Sequence, residues 1–282
     1  MDLKNILHKF DEMLAQGQMQ DAVDYLENKA ELFAKEGDST SAITVFNELE
    51  GFWRVAGQKE KSYTAAETAL GLISSCGLEG GIGHATTLLN YATAKSAFGE
   101  AAEALKLYDS VEEIYAEQLP EGDYHFAALY NNMAQSLLLT NDVTRAGECF
   151  AKSLTLLEKI EDVQSEIATC HANLAICLIA QKKFDEGREN LEKSEAIFAT
   201  LQGDPHVDSM LATRGQLEYM LGNFAEAAEY YKRAATNIEN RFGRNQYYAR
   251  ASRNCAKAFE AAGNKEEAER WLLFADSAKD RR

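Results

Sequence analysis

Residues 221–235 read LGNFAEAAEYYKRAA, and the order of small and aromatic residues in this stretch decides the fold. Gly222 can adopt the left-handed backbone conformation that ends a helix. Ala227 and Tyr231 follow at a spacing of four residues, which places them on one face of the next helix. The stretch therefore predicts a helix end, a tight turn and a second helix that carries a small residue where two helices cross.

The same turn recurs along the whole chain. Helix-ending residues stand 40 to 42 residues apart, at Gly17, Gly57, Gly99, Asn141, Lys182, Gly222 and Gly263. Five of them are Gly and one is Asn, the residue types that enter the left-handed region most readily, and Lys182 is the exception. A constant period of this length predicts an array of repeated units.

Small residues mark the places where two helices approach closely. Five residues after the turns stand Ala22, Ser62, Ala104, Ala146, Gly187, Ala227 and Ala268. Nine residues after them stand Leu26, Ala66, Tyr108, Phe150, Leu191, Tyr231 and Leu272, which we expect to fill the space beside the crossing. Seven residues before the turns the last five repeats have small residues, whereas Phe10 and Glu50 break the pattern in the first two.

Each unit is therefore a pair of antiparallel helices. The predicted helices are 3–16 with 19–36, 40–56 with 59–76, 83–98 with 101–118, 124–140 with 143–160, 164–181 with 184–201, 205–221 with 224–242, and 245–262 with 265–280. With only 2 Pro in 282 residues, long uninterrupted helices are favoured. One pair cannot bury its apolar stripe alone, so we expect about seven stacked pairs to form a single all-α solenoid domain over residues 1–282.

The residue pattern resembles that of the tetratricopeptide repeat. LGNFAEAAEYYKRAA matches this family nearly residue for residue, and the long period with the segments PEGDYHFAALY (120–130), QGDPHVDSMLA (202–212) and FGRNQYYARA (242–251) resembles the repeats of kinesin light chains. The match is good over residues 83–280, and residues 1–80 are predicted to be divergent helix pairs. The resemblance implies a right-handed superhelix whose first helices line a concave, peptide-binding groove.

Carboxamides dominate the predicted groove. Nine residues before the turns, four of the last five repeats carry Asn, which can both donate to and accept from a peptide unit. An alternative is that each Asn side chain hydrogen-bonds within its own repeat and helps adjacent helices to pack. The candidate ligand-binding residues on the first helices are Asn90, Asn131, Asn132, Gln135, Asn173, Ile176, Thr213, Gln216, Tyr219, Arg250, Arg253, Asn254 and Lys257.

Three cations in this set share one helical face. Arg250, Arg253 and Lys257 have the spacing i, i+3 and i+7, which suits docking of an acidic side chain or carboxylate, although such a face is often only solvated. Residues 241–282 hold 10 Lys and Arg against 6 Asp and Glu, in a chain of net charge -16. The partner is therefore expected to be a protein or peptide that is acidic at one end. Nucleic acid and anionic membranes are disfavoured by the acidic body.

No pattern for catalysis or cofactor binding is found. The stretch TCHANLAICL (169–178) has two Cys and one His, but helical spacing holds Cys170 and Cys177 about 10 Å apart, too far for one metal ion or a disulfide. They are expected in the core, as reduced thiols of a cytoplasmic protein. We therefore expect neither enzymatic activity nor a metal or other cofactor.

Two functions remain at this stage. The first is an interaction module, adaptor or scaffold that binds a partner in the groove. The second is a structural protein that oligomerises end to end through the atypical first pair and through Trp271 and Phe274 on the last helix, if these two side chains are exposed. Light scattering would separate the two.

Overall fold

The computed structural model describes residues 2–201 and 203–278, and the end of the last predicted helix, 279–280, lies outside them. All regular secondary structure in the described residues is α-helix, in fourteen helices. The first helices of the repeats are α1 (Leu3–Ala15), α3 (Ser39–Val55), α5 (Ile82–Ala97), α7 (His125–Leu139), α9 (Gln164–Ala180), α11 (Val207–Met220) and α13 (Gln246–Ala261). The second helices are α2 (Met19–Glu36), α4 (Lys59–Ser75), α6 (Ala101–Gln118), α8 (Val143–Leu157), α10 (Phe184–Phe198), α12 (Phe224–Phe242) and α14 (Lys265–Asp276).

The helices form two compact units that divide between Asp142 and Val143. The N-terminal unit contains α1 to α7, and the C-terminal unit contains α8 to α14. In both units consecutive helices pack on one another as hairpins, so the predicted all-α solenoid fold is confirmed. No helix in the described residues has the length and apolar character needed to cross a bilayer.

All seven predicted turn residues have a left-handed backbone, with φ between 62° and 88°, including Lys182 at 62°. At every one of these turns the N–H of the next residue donates to a carbonyl five positions earlier, at 2.8 or 2.9 Å. Asn223 to Glu218 is one example. This bond is the Schellman closure, which satisfies a carbonyl that the helix end leaves free. The turn geometry is thus the same whether or not the residue is Gly.

The small residues lie at the helix crossings as expected. All seven positions five residues after the turns are buried. A Cβ added to Gly187 would come within 3.0 Å of Ile179 Cγ1, and one added to Gly215 would come within 3.0 Å of the Tyr231 ring. At these two positions even a methyl group would require the neighbouring side chain to move.

In the second pair, polar side chains lie at the crossing of the two helices. Glu50 occupies the usual small position and is 1% exposed. Ser62, the small residue of the partner helix, places its hydroxyl 3.2 Å from Glu50 Oε1, and Arg54 Nε lies 3.6 Å from that oxygen. Burial raises the pKa of Glu50 to about 7, against the opposing effects of Arg54 and Ser62.

The last pair departs from the predicted register. Trp271, expected to be exposed, packs into the core of the C-terminal unit and is 7% exposed, and Phe274 packs beside it at a ring distance of 5.3 Å. Leu272, expected to face the core, is 49% exposed. The indole lies one position before Leu272 and fills the space beside the crossing that the leucine was predicted to fill. The expected exposed Trp271 surface is therefore wrong.

Candidate peptide-binding groove

A groove of about 620 Å³ lies in the C-terminal unit between the first helices α11 and α13. Its floor is formed by α12 through Tyr231, Ala234 and Ile238. A smaller cavity of about 220 Å³ continues from it and shares Gln216, Tyr231 and Asn254. The two cavities together form the candidate groove.

Seven of the thirteen candidate residues line this groove. They are Ile176, Thr213, Gln216, Tyr219, Arg250, Asn254 and Lys257. Asn173 is half-buried on α9, and Arg253 is exposed on α13, but neither is part of the lining. The other four candidates belong to the N-terminal unit and are Asn90, Asn131, Asn132 and Gln135.

The Thr213 hydroxyl of the groove forms a hydrogen bond within the described part of the protein, whereas the two carboxamide groups of the groove do not. Thr213 is buried and donates its hydroxyl to the carbonyl of Ser209 in its own helix, at 3.0 Å. No side-chain hydrogen bond within the described residues involves Gln216 or Asn254, which face each other from α11 and α13. These two carboxamides can therefore bond to a peptide backbone without breaking an internal contact.

The predicted cationic face contributes two residues to the groove. Arg250 lies at one end, with its guanidinium 5.8 Å from the Tyr247 ring centre, and Lys257 lies at the other, with Nζ 5.2 Å from the Tyr219 ring centre. No acidic side chain in the described part of the chain forms an ion pair with either cation. Both charges are thus positioned over aromatic rings and remain available to an anion.

The acidic residue of the groove has its own cation. Asp208 lines the wall on α11, and its Oδ2 lies 3.7 Å from Nη1 of Arg241. Burial raises the pKa of Asp208, and the nearby Arg241 opposes this shift. Because Arg241 offsets the charge of this carboxylate, Asp208 does not cancel the positive potential at Arg250.

Two aromatic residues of the groove were not predicted. Phe242 and Tyr247 flank the loop between α12 and α13, line the groove and are each 54% exposed. The segment FGRNQYYARA contains both, so its aromatic content could have indicated them. Large exposed aromatic surface beside a free cation is typical of a binding site rather than of a solvated surface.

Two of the four candidates in the N-terminal unit form hydrogen bonds within the protein. Asn132 donates from Nδ2 to Thr93 Oγ1 of the neighbouring first helix at 3.3 Å, and Asn131 donates to Asn132 Oδ1 at 3.3 Å. Asn90 is half-buried and Gln135 is exposed. Asn132 thus joins two first helices, although its bond reaches the preceding repeat and not its own repeat as the alternative to peptide binding predicted.

The two cysteines of the stretch TCHANLAICL are part of the core. Cys170 and Cys177 are buried, and burial raises their pKa values to about 12 and 11. Cys170 donates to the carbonyl of Phe150 at 3.2 Å, and His171 Nδ1 lies 2.8 Å from Asn190 Oδ1. No group of His, Cys, Asp and Glu in the described residues has a metal-binding arrangement.

The comparisons with known proteins agree with this fold. The tetratricopeptide repeat model matches residues 125–200, 166–239 and 206–273, which together span more than half of the chain. No curated protein is significantly similar in sequence.

Three solved structures show the same fold over most of the chain. A putative kinesin light chain from Podosopora anserina with nearly identical TPR-like repeats is 20% identical, with a TM-score of 0.56, and 68% of this chain and 93% of that chain are covered. BtubC (BKLC) from P. vanneervenii is 19% identical, with a TM-score of 0.62 and coverage of 78% and 89%. The apo form of the quorum sensor NprR from B. thuringiensis is 14% identical, with a TM-score of 0.69 and coverage of 100% and 77%. The resemblance to kinesin light chain repeats is therefore confirmed at the level of the fold.

Proposed function

Because the chain belongs to the tetratricopeptide repeat family, we propose that it is a non-enzymatic interaction module that binds an acidic peptide segment of a partner protein. The segment lies in the groove between α11 and α13. The observation that carries this proposal is the pair of cations, Arg250 and Lys257, that line the groove without an acidic partner in the described residues.

Different residues of the groove contact the backbone, the apolar side chains and the carboxylates of such a segment. Gln216 and Asn254 hydrogen-bond to its backbone from opposite walls, and Phe242 and Tyr247 contact an apolar side chain. Arg250 and Lys257, about 10 Å apart along the helix, attract two carboxylates that the bound segment presents at a similar separation. The proposal places the protein in a reducing compartment such as the cytoplasm, in keeping with its five free cysteines.

A matched pair of variants on α13 tests the proposal. Arg250→Glu reverses a charge inside the groove, and Arg253→Glu makes the same change one turn away, outside it. An array of random hexapeptides should yield acidic binders whose Kd weakens about tenfold or more with Arg250→Glu, because a favourable charge pair becomes repulsive. The control should change Kd by less than about threefold. Equal weakening by both variants would show that the groove is not the binding site.

Self-association is a second candidate, because Leu272 and Leu273 on α14 are 49% and 70% exposed. Two neighbouring exposed leucines on a terminal helix favour contact with another apolar surface. Light scattering over a concentration series should show growth in mass that Leu273→Glu abolishes. A constant monomer mass at high concentration would exclude this function.

A further inference from the structure

A separate pocket of about 390 Å³ lies in the N-terminal unit, between the second helices α2 and α4 and above α3. Its floor is apolar and consists of Phe46, Leu49 and Trp53. Three carboxylates surround it, from Glu27 and Glu31 on α2 and Glu60 on α4. We call these six residues the acidic pocket.

The carboxylates of the acidic pocket are largely without internal cations. Glu27 and Glu31 are one helical turn apart and therefore lie on the same face of α2. Glu31 forms an exposed ion pair with Lys35 at 3.3 Å. No cation in the described residues forms an ion pair with Glu27 or Glu60. An exposed pair of this type contributes little to stability, so all three carboxylates can be shared with a ligand.

One lysine of the protein occupies the position that a cationic ligand would take. Lys61 is the single cation lining the pocket in the described part of the chain, and its Nζ lies 4.0 Å from the centre of the Trp53 ring. This distance is well within the range of a cation–π interaction, for which Trp is the preferred ring. Because Lys61 is exposed and flexible, it can leave the ring when another cation arrives.

The remaining wall of the pocket offers few hydrogen-bond donors. Thr64 and Thr68 donate their hydroxyls to carbonyls of their own helix, at 2.8 and 2.7 Å. The pocket therefore favours a ligand with positive charge and apolar surface, because three carboxylates repel an anionic group and Lys61 alone would attract it.

We propose that the acidic pocket binds a basic segment of a partner protein. A Lys or Arg side chain of that segment replaces Lys61 over Trp53 and lies among the carboxylates of Glu27 and Glu60. An adjacent apolar side chain contacts Phe46 and Leu49. This specificity is opposite in charge to that of the groove in the C-terminal unit, and the pocket lies between second helices instead of first helices.

Phage-displayed random heptapeptides selected against the immobilised full chain provide the test. The Glu27→Lys/Glu60→Lys variant removes the two carboxylates that lack internal cations. Clones that bind the natural chain but not this variant should be enriched in Lys or Arg next to Leu, Ile or Phe. Clones that bind both proteins bind to other surfaces. The selection therefore tests the acidic-pocket proposal independently of the proposal for the groove.

One selected peptide is then synthesised with acetylated and amidated ends, so that only its side chains carry charge. Its Kd is measured by Trp53 fluorescence in a Trp271→Phe background. The double variant should weaken binding about tenfold or more, since two attractive charges are replaced by two repulsive ones. Glu36→Lys/Glu113→Lys, an equal charge change at exposed positions outside the pocket, should alter Kd less than about threefold.

Lys61→Ala gives an independent check, because it removes the internal competitor and its like charge. The peptide should bind this variant at least as tightly as it binds the natural chain. Weaker binding to Lys61→Ala would overturn the proposal, and so would carboxylate-dependent clones without an excess of basic residues. Selection of no carboxylate-dependent clone would overturn it as well.

Discussion

The buried carboxyl of Glu50 makes the stability of the N-terminal unit dependent on pH. Its pKa rises from an ordinary value of 4.5 to about 7 in the folded chain. The folded state therefore holds a proton that the unfolded state releases, and stability falls as pH rises from about 4.5 to about 7. A difference of 2.5 units at 1.36 kcal/mol per unit gives a total loss of about 3 kcal/mol.

Glu50→Gln tests this value because it keeps the shape of the neutral acid and the contact with Ser62. The free energy of unfolding of this variant relative to the natural chain should increase by about 2.5 kcal/mol between pH 5 and pH 8. Arg54 and Ser62 already oppose the shift in the natural chain, so their effects are included in this figure.

Urea unfolding followed by Trp53 fluorescence measures this free energy locally. Each unit contains one Trp, so a Trp271→Phe background makes the signal specific for the N-terminal unit. Trp53 is buried three residues after Glu50 on α3, so its emission changes when this helix unfolds. Glu36→Gln, at an exposed position near the end of α2, should give a curve parallel to that of the natural chain. If the pH dependence of the unfolding free energy of Glu50→Gln also followed that of the natural chain to within about 0.5 kcal/mol, the raised pKa of Glu50 would be refuted.

Three further substitutions test the backbone and the packing. Lys182→Gly should stabilise the C-terminal unit by about 1 kcal/mol in urea unfolding, since Lys182 has a left-handed φ of 62° that costs a side chain about this amount. Gly215→Ala should destabilise it by about 1–3 kcal/mol and weaken peptide binding, since the new Cβ lies 3.0 Å from the Tyr231 ring in the floor of the groove. Gly71→Ala, at a helical position with no atom within 4 Å, should instead stabilise the N-terminal unit by about 0.5–1 kcal/mol.

The sequence predicts the fold well because each turn is determined locally. A left-handed residue and the Schellman bond require only a few neighbouring residues, so the turn positions can be read from the chain without knowledge of its packing. The predicted helices consequently agree with the structure to within a few residues at each end. Lys182 shows that even a residue with low preference for this backbone adopts it when the period requires it.

Side-chain partners across repeats are harder to predict, because they depend on contacts between residues distant in sequence. Glu50 looked like a break in the pattern, but it pairs with Ser62 and keeps the crossing intact. Trp271 was placed at the surface, because the sequence does not show that an indole can take the role of the next residue, Leu272. Register predicted seven of the residues that line the groove but not Phe242 or Tyr247, and the partners of Asn132 could only be found from the structure.

The two units differ in whether the side chains of neighbouring first helices are hydrogen-bonded to each other. In the N-terminal unit, side chains of neighbouring first helices bond to each other, through Asn47 to Thr87, Asn132 to Thr93 and Ser136 to Ser96. In the described part of the C-terminal unit no side-chain hydrogen bond joins α11 to α13, and the groove lies between them.

Polar groups that join helices are not available to a ligand without the cost of breaking an internal bond, whereas Gln216 and Asn254 carry no such cost. The two proposals therefore assign acidic peptides to the first helices of the C-terminal unit and basic segments to the acidic pocket between second helices of the N-terminal unit. Thr93→Val, which removes the partner of Asn132 and of the Tyr108 hydroxyl, should destabilise the N-terminal unit by about 1–3 kcal/mol in urea unfolding and leave acidic-peptide binding unchanged. A loss of acidic-peptide affinity in Thr93→Val would instead show that the first helices of the N-terminal unit take part in binding.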